Sequence, residues 1–246
     1  MSNIIQKLMK PKKQSQEDLG LELRPGAAHY RAYVGPPKDY DLVAAMSFNL
    51  LTTLGLRQGQ TVLDIGCGSL RIGRLLIPYL NVGNYTGIEP NEWLVKDGIE
   101  REVGQDQIRI KQPTFYYSDS AEKLPPDAKY DFAIAQSIFS HCGADVIKRW
   151  LGGISPHMSS TGAFVATFLI ADQDYGGSGW FYPECVNYKV ETMKSFADQY
   201  GFVFQLLDWK HPRQTWALFS KPGFDTRWFS ANPLTWNTML GFVLKK

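Results

Sequence analysis

The hydrophobic positions of the chain follow two alternating periods. Short apolar runs, typical of buried strands, are separated by segments in which apolar residues recur near every 3.6 positions, as in amphipathic helices. The predicted strands cover 61–65, 85–89, 114–117, 130–135, 162–170, 202–209 and 215–220, and the predicted helices cover 40–54, 70–80, 92–103, 144–154 and 188–200. Strands that alternate with helices predict right-handed βαβ units and a largely parallel sheet.

The last two predicted strands differ from the others because no helix separates them. Two neighbouring strands with so short a connection form a hairpin, so one of them runs antiparallel to the rest of the sheet. We therefore expect an α/β fold with helices on both faces and an antiparallel hairpin at its C-terminal end.

The same pattern divides the chain into four parts. Residues 1–25 are polar and lysine-rich and predict a flexible basic leader, and residues 26–60 predict a helical lid on the substrate side. Residues 61–220 carry the alternating strands and helices. Residues 221–246 hold five aromatic side chains, which favours packing on the sheet edge or a subunit contact, as in a homodimer, over a free tail.

Composition narrows the class of protein. The 246 residues are 44% hydrophobic, which supplies a sizeable core and excludes a disordered chain. The 26 basic and 24 acidic residues leave a formal charge of +2, and four lysines without an acid lie within the first thirteen positions. The rest of the chain therefore carries −2, which argues against a nucleic-acid partner.

Membrane and metal signals are also missing from the sequence. No apolar run reaches the roughly 20 residues of a membrane span, and the N-terminus lacks the apolar stretch of a signal peptide. The three cysteines (Cys67, Cys142 and Cys185) are irregularly spaced and match neither a disulfide framework nor a zinc site. We predict a cytoplasmic protein with no stable membrane association and no metal.

The strongest local motif is the strand 61–65 followed by Gly66-Cys67-Gly68-Ser69 and a helix. Glycine lets a backbone approach a ligand closely, and the start of a helix offers free N–H groups. The loop departs from the dinucleotide fingerprint G-x-G-x-x-G, because Arg71 occupies the position of the third glycine. Cys67 is interpreted as a small loop filler rather than a nucleophile.

Three further features follow the next strands. Glu89, 23 residues after Gly66 and followed by Pro90-Asn91, ends the second strand, where a carboxylate can accept both hydroxyls of a ribose. Asp119-Ser120-Ala121 follows the third strand, where a short polar side chain can contact an adenine amino group. The segment from Gln136 to His141 follows the fourth strand.

With these features, residues 61–220 resemble the class I S-adenosylmethionine-dependent methyltransferases, including the terminal hairpin. The resemblance implies a Rossmann-like, seven-stranded, mostly parallel sheet of order 3-2-1-4-5-7-6. It implies that S-adenosylmethionine is the cofactor, bound by Asp64, Gly66, Cys67, Gly68, Arg71, Glu89, Pro90, Asn91, Asp119, Ser120, Ala121 and Gln136. The chain departs from the family pattern at two points. Leu70 occupies the position of the third glycine, and both Asp119 and Ser120 are candidates for the contact with the adenine edge.

The methyl acceptor is expected to be a small molecule, with transfer to oxygen favoured. His141 is the candidate base or substrate ligand, and a structural histidine is the alternative. The candidate substrate-binding residues are aromatic side chains of the lid and of the insert 171–187, namely Tyr30, Tyr33, Tyr175, Trp180 and Tyr182. An insert merely pinned to the core by its aromatics is the alternative. His211 lies in the turn between the last two strands and is interpreted as a surface residue.

The sequence lacks the motifs that characterise competing methyltransferase activities. Nucleic-acid amino-methylating enzymes carry an Asp/Asn-Pro-Pro-aromatic motif where this chain has Gln136-Ser137-Ile138-Phe139, and the paired glutamates of protein arginine methyltransferases are missing. Transfer to nitrogen or carbon, and a non-catalytic module that only binds the cofactor, remain the alternatives.

Overall fold

A computed structural model describes residues 19–227. The basic leader predicted for 1–25 and the aromatic extension predicted for 221–246 therefore lie mostly outside the described residues. The strands are β1 (Val62–Ile65), β2 (Tyr85–Ile88), β3 (Thr114–Tyr116), β4 (Tyr130–Ala135), β5 (Met158–Ile170), β6 (Asn187–Tyr188), β7 (Val203–Leu207) and β8 (Thr215–Ser220). The α-helices are α1 (Tyr40–Thr53), α2 (Gly73–Tyr79), α3 (Glu92–Gly98), α4 (Gln105–Lys111), α5 (Ala144–Ile154) and α6 (Val190–Gln199).

The strands form one sheet of order β3-β2-β1-β4-β5-β8-β7, and the short β6 pairs with β5 outside this path. Strands β1 to β5 are parallel, whereas β8 runs antiparallel to both β5 and β7. The predicted α/β fold, its strand order and its C-terminal hairpin are confirmed. The two-residue β6 only shifts the numbering of the last two strands.

The sheet is covered on both faces, and this explains the continuous apolar runs of its central strands. All four residues of β1 and of β2 are buried. One core cluster includes Phe139, Trp150 and Phe219, and a second cluster includes Leu76 and Trp216. Burial on both faces holds the carboxyl ends of the parallel strands in fixed positions.

Several element boundaries differ from the predicted ones. The helix predicted from residue 70 begins at Gly73, because Leu70 has φ +59° and cannot continue into helical geometry. The predicted helix 92–103 divides into α3 and a π-helical turn (Ile99–Val103), and the unpredicted α4 begins after Gly104 at φ +87°. These breaks arise from backbone conformations that hydropathy does not report.

The segment before α1 lies on the core through a partly buried charged cluster. Arg31 donates to Glu102 at 2.6 Å and to Asp41 at 3.1 Å, and Arg74 also contacts both acids. The Tyr40 hydroxyl donates to the backbone oxygen of Ser69 at 3.0 Å. These contacts fasten residues 28–40 above the loop between β1 and α2. Between residues 19 and 227, no helix is long and apolar enough to cross a membrane.

Candidate active site

A cavity of about 750 Å³ opens at the carboxyl ends of β1, β2, β4 and β5. In parallel α/β sheets this edge is where ligands bind, because loops from neighbouring strands converge there. Twelve of the predicted site residues line the cavity: Tyr33, Gly66, Gly68, Arg71, Glu89, Pro90, Asn91, Asp119, Gln136, His141, Trp180 and Tyr182. Asp64 and Cys67 line a small recess beside it, whereas Ser120, Ala121, Tyr30 and Tyr175 line neither.

The loop from β1 to α2 needs glycine at two positions. Gly66 and Gly68 have φ +65° and +53°, a region that other residues rarely adopt. A Cβ on Gly68 would lie 2.6 Å from Cγ1 of Val34, and a Cβ on Gly66 would overlap the side chain of Ile138. The loop therefore packs directly against Val34 of the segment before α1 on one side and against Ile138 of the segment after β4 on the other.

Asp64 lies behind this loop rather than in the main cavity. The carboxyl group is buried, and its Oδ2 accepts a hydrogen bond from the Tyr85 hydroxyl at 2.8 Å. Burial raises the pKa of Asp64 to about 7, although the Tyr85 hydrogen bond and the positive charge of Arg71 oppose the shift. In this structure Asp64 supports the ends of β1 and β2 from behind.

Glu89 joins the two loops that follow β1 and β2. Its side chain accepts hydrogen bonds from the Gly68 N–H at 3.1 Å, the Asn91 N–H at 2.9 Å and the Asn91 Nδ2 at 2.8 Å. Burial raises the pKa of Glu89, while these three donors act in the opposite direction. The result is a buried carboxylate held at the cavity wall, which is suited to accept ribose hydroxyls.

Beyond Glu89, the cavity is lined by Leu94, Ser118 and Asp119. The two candidates for the adenine edge differ in position, because Asp119 lines the cavity and Ser120 does not. Asp119 is largely exposed and lies 3.9 Å from Arg149, too far for a hydrogen bond. Its carboxylate is therefore available to a ligand.

Arg71 lines the cavity beside Gln136 and is buried to 7% exposure. Its Nη2 donates to Oε1 of Gln136, and it forms no ion pair with any acid of residues 19–227. Burial lowers the pKa of Arg71 to about 10, so the side chain is still a cation at neutral pH. A buried guanidinium that lines a cavity, with Asp64 as an acidic neighbour but no direct ion pair, is suited to bind an anionic ligand.

His141 stands on a short 3-10 helix (Phe139–His141) after β4. Its Nδ1 lies 2.6 Å from the backbone oxygen of Glu184. A carbonyl oxygen can only accept, so the proton of a neutral ring is on Nδ1 and Nε2 has a free lone pair. Burial and the positive charge of Arg213 lower the pKa of His141, which keeps the ring neutral at pH 7.

Aromatic side chains from the lid and the insert form one wall of the cavity. The ring centroids of Trp180 and Tyr182 lie 6.0 Å apart in a stacked arrangement, and the His141 ring lies 4.9 Å from that of Tyr182. The Tyr182 hydroxyl donates to the backbone oxygen of Tyr33 and so links the insert to the lid. The insert is also fixed to the core, since the Phe181 N–H donates to the backbone oxygen of His141 at 2.8 Å.

Two of the five aromatic candidates lie elsewhere. Tyr30 is buried, and its hydroxyl donates to Glu102 at 3.1 Å, so it helps to anchor the lid. Tyr175 packs against Phe181, with ring centroids 5.6 Å apart, and supports the insert from outside the cavity. The segment before α1 and the insert therefore use aromatics both as cavity wall and as anchors.

The hairpin turn between β7 and β8 contributes residues that sequence reasoning missed. Arg213 and Gln214 line the cavity. His211, interpreted from the sequence as a surface residue, is largely buried, with its Nε2 3.1 Å from Nε2 of Gln136. This placement corrects that interpretation. The sequence did contain a signal for this placement. The predicted strand order puts the hairpin beside the fifth strand, and its turn therefore lies near the end of the fourth strand.

Three features together define a class I S-adenosylmethionine-dependent methyltransferase. They are the glycine loop after β1, the carboxylate after β2 and the sheet that ends in an antiparallel hairpin. Residues 63–164 match the family model described as a methyltransferase domain, which agrees with this class. The site also fits the cofactor, since it combines a glycine backbone without Cβ atoms, the buried carboxylate of Glu89 and the buried cation of Arg71.

Solved structures share this fold at low sequence identity. Magnesium protoporphyrin IX methyltransferase from Synechocystis PCC 6803, with bound SAH, is 14% identical with a TM-score of 0.56, covering 75% of this chain and 84% of that one. The pyocyanin biosynthetic protein PhzM is 14% identical with a TM-score of 0.56, covering 82% and 60%. A S-adenosylmethionine-dependent methyltransferase from Clostridium acetobutylicum ATCC 824 is 13% identical with a TM-score of 0.50, covering 74% and 90%.

Proposed function

We propose that the protein transfers a methyl group to a hydroxyl of a small, ring-bearing acceptor, with His141 as the general base. The observation that carries this proposal is the 2.6 Å contact between Nδ1 of His141 and the Glu184 backbone oxygen. This contact leaves an unprotonated Nε2 on a side chain that lines the same cavity as Glu89. Deprotonation of a hydroxyl by such a group is typical of general base catalysis.

For the cofactor, we assign Glu89 to the ribose, Asp119 to the adenine edge and Arg71 to the methionine end. S-adenosylmethionine supplies an already activated methyl group on a sulfonium. The chain therefore has to align two reactants and exclude water more than it has to create a nucleophile. The order of Asp119, Glu89 and Arg71 along the cavity agrees with an extended nucleoside ligand.

For the acceptor, we assign the aromatic wall of Tyr33, Trp180 and Tyr182. Flat aromatic surfaces in a partly closed cavity favour a ring-bearing molecule. We also propose that residues 26–60 act as a lid, because Tyr33 and Val34 reach the cavity and the Tyr33 backbone oxygen accepts from Tyr182. When the acceptor oxygen gains the methyl group, the Nε2 of His141 takes the proton that the hydroxyl loses.

A small-molecule acceptor is supported by the enclosure of this site. The lid and the insert cover it from two sides, and beyond the lysine-rich first thirteen residues the chain has a net charge of −2. The similar solved structures include magnesium protoporphyrin IX methyltransferase and a putative O-methyltransferase from Nostoc punctiforme PCC 73102 (14% identity, TM-score 0.54). The fold alone leaves the acceptor open.

The test is a methyl-transfer assay with labelled S-adenosylmethionine and a panel of phenols with matching anilines. We expect transfer to a phenol, and a fall in kcat of about 10²- to 10⁴-fold in His141→Asn, the range typical of a lost general base. Asparagine is the matched variant because its amide can still donate to the Glu184 oxygen. Cofactor affinity, measured by calorimetry, should not change.

Two outcomes would contradict this proposal. Full turnover of a phenol by His141→Asn would remove the base role of His141. Transfer to anilines alone, equally fast in both proteins, would favour N-methylation instead.

A further inference from the structure

The turn between β7 and β8 places an arginine, Arg213, in the cavity lining. This turn is stabilised by its own hydrogen bonds, because Nδ1 of His211 accepts from the backbone N–H of Gln214 at 2.9 Å and from that of Arg213 at 3.2 Å. The Gln214 side chain also links the turn to the residue pair after β4, since its Nε2 donates to Oγ of Ser137 at 2.8 Å. The backbone of Arg213 is therefore held beside the end of β4.

The guanidinium of Arg213 has hydrogen-bonding capacity left for a ligand. The side chain is half-exposed (52%), and its one acidic contact among residues 19–227 is Asp39, 3.9 Å away. That separation is too long for a hydrogen bond, and Asp39 stands at the start of α1, outside the cavity lining. Because a guanidinium carries five N–H donors, a molecule that enters the cavity meets a cation that can still donate.

The acids of the cavity wall do not neutralise this cation. Glu89 is held by donors of the loops after β1 and β2, and Asp145 accepts from the Gly179 N–H at 3.0 Å. Asp119 belongs to the end proposed for adenine. In the part of the chain that the structure describes, none of these three acids forms an ion pair with Arg213. Its positive charge is therefore available to an anionic group of a ligand.

Arg213 belongs to the end of the cavity that we propose for the acceptor. Burial lowers the pKa of His141, and the charge of Arg213 lowers it further. Burial raises the pKa of the Cys185 thiol, and the same charge opposes that rise. Both side chains line the cavity together with the aromatic wall of Trp180 and Tyr182. A cation, a neutral base and a flat aromatic surface therefore share one end of the cavity.

We propose that Arg213 makes the enzyme select an acidic acceptor, a hydroxylated ring that carries a carboxylate. The ring lies against the aromatic wall, its hydroxyl faces Nε2 of His141, and its carboxylate is bound by Arg213. A guanidinium suits a planar carboxylate because its fork of donors forms paired, charge-assisted hydrogen bonds. The inference rests on the proposed function, since it names the class of acceptor for the same site. Arg213 is then a specificity-determining residue outside the loops that hold the cofactor.

The first experiment measures acceptor binding separately from turnover. On protein saturated with S-adenosylhomocysteine, binding of the three hydroxybenzoate isomers and of the matching neutral hydroxybenzamides is followed by NMR. We expect at least one acid to bind about tenfold more tightly than its amide, the lower part of the range for charged hydrogen bonds, because Arg213 is half-exposed. In Arg213→Gln this preference should disappear through weaker binding of the acid alone, and Arg213→Lys should restore part of it.

Two control variants separate acceptor binding from other roles of the charge. If Arg213 served only its contact with Asp39 of the segment before α1, Asp39→Asn would reproduce the behaviour of Arg213→Gln. We expect Asp39→Asn to keep the preference for the acid, since the cation in the cavity remains. Arg109→Gln removes one positive charge from the exposed surface of α4 and should also keep it.

Three results would overturn the role of Arg213. They are a wild type that binds no acid more tightly than its amide, an Arg213→Gln variant that keeps the preference, and a variant that loses acid and amide equally. Failure of the proposed function has a different signature, because acid-selective binding through Arg213 without methyl transfer to any phenol contradicts O-methylation and leaves this site intact. A wild type that does not bind S-adenosylhomocysteine contradicts both.

Discussion

The two ends of the cavity are assembled in different ways. The end around Gly66, Gly68 and Glu89 is built from two consecutive β-strand-to-helix loops, and Glu89 bonds to the Gly68 N–H across only 21 positions. The end around His141 and Arg213 is assembled from the 3-10 helix after β4, the segment before α1, the insert and the hairpin turn, which are distant in sequence. The difference teaches that the end proposed for the cofactor is built from a local motif, whereas the end proposed for the acceptor depends on tertiary packing.

The largest expected effect tests how the lid is held. In Arg31→Met, the largely buried Glu102 loses its 2.6 Å partner and keeps the 3.4 Å contact with Arg74 and the 3.1 Å hydrogen bond from the Tyr30 hydroxyl. Breaking a buried pair in this way costs about 3–5 kcal/mol, so we expect a comparable fall in the free energy of unfolding in urea. Arg109→Met, an exposed pair, should cost less than about 1 kcal/mol. Equal stabilities of the two variants would show that the lid is not fastened by this cluster.

The next effect concerns the cofactor end alone. Glu89→Gln keeps the shape of the side chain but removes the charge and one of the two acceptor oxygens, so either the Gly68 N–H or the Asn91 donors lose their acceptor. Charged hydrogen bonds contribute about 1.5–3 kcal/mol, so the affinity for S-adenosylhomocysteine should fall roughly 10- to 100-fold by calorimetry. A variant that binds as tightly as the wild type would remove Glu89 from the cofactor site.

A third effect is the pH dependence caused by Asp64. Its pKa is raised to about 7 in the folded protein, so between its ordinary pKa and about pH 7 the folded state holds a proton that the unfolded chain has lost. Stability from this group is therefore lost as the pH rises through that window, by roughly 1.4 kcal/mol per pH unit.

Asp64→Asn isolates that contribution. From about pH 5.5 to pH 7 the wild type should lose about 2 kcal/mol more than the variant in urea unfolding. The amide oxygen can still accept from the Tyr85 hydroxyl, so the local structure is preserved. Parallel pH profiles of the two proteins would mean that Asp64 is ionised throughout.

The smallest effect tests the link between lid and insert. Tyr182→Phe removes only the hydroxyl that donates to the Tyr33 backbone oxygen, and one such hydrogen bond contributes about 1 kcal/mol. We expect faster amide exchange in residues 33–35, with the affinity for S-adenosylhomocysteine unchanged. Unchanged exchange would show that the two segments are held in place independently.

Much of the fold was predictable because it depends on local periods. The bounds of β4 and α5 match the predicted segments, since each has a clear apolar pattern along its whole length. The start of α2 and the break after α3 were not predictable, because a positive φ at Leu70 and a π-helical turn leave no hydropathy signal. Most of the site residues predicted from the loops after β1 and β2 line the cavity. Tyr30 and Tyr175 lie outside it and pack against neighbouring segments.

The sequence by itself determined the alternation of strands and helices, the glycine loop and the acid at the end of β2. Each depends on residues close together in the chain, whose preferences act before any tertiary contact forms. Only the tertiary structure decided that Tyr182 bonds to Tyr33 across 149 positions and that His211 meets Gln136 across 75. Such contacts depend on how the sheet stacks its loops at one edge, and no short-range pattern of apolar and polar residues contains that information.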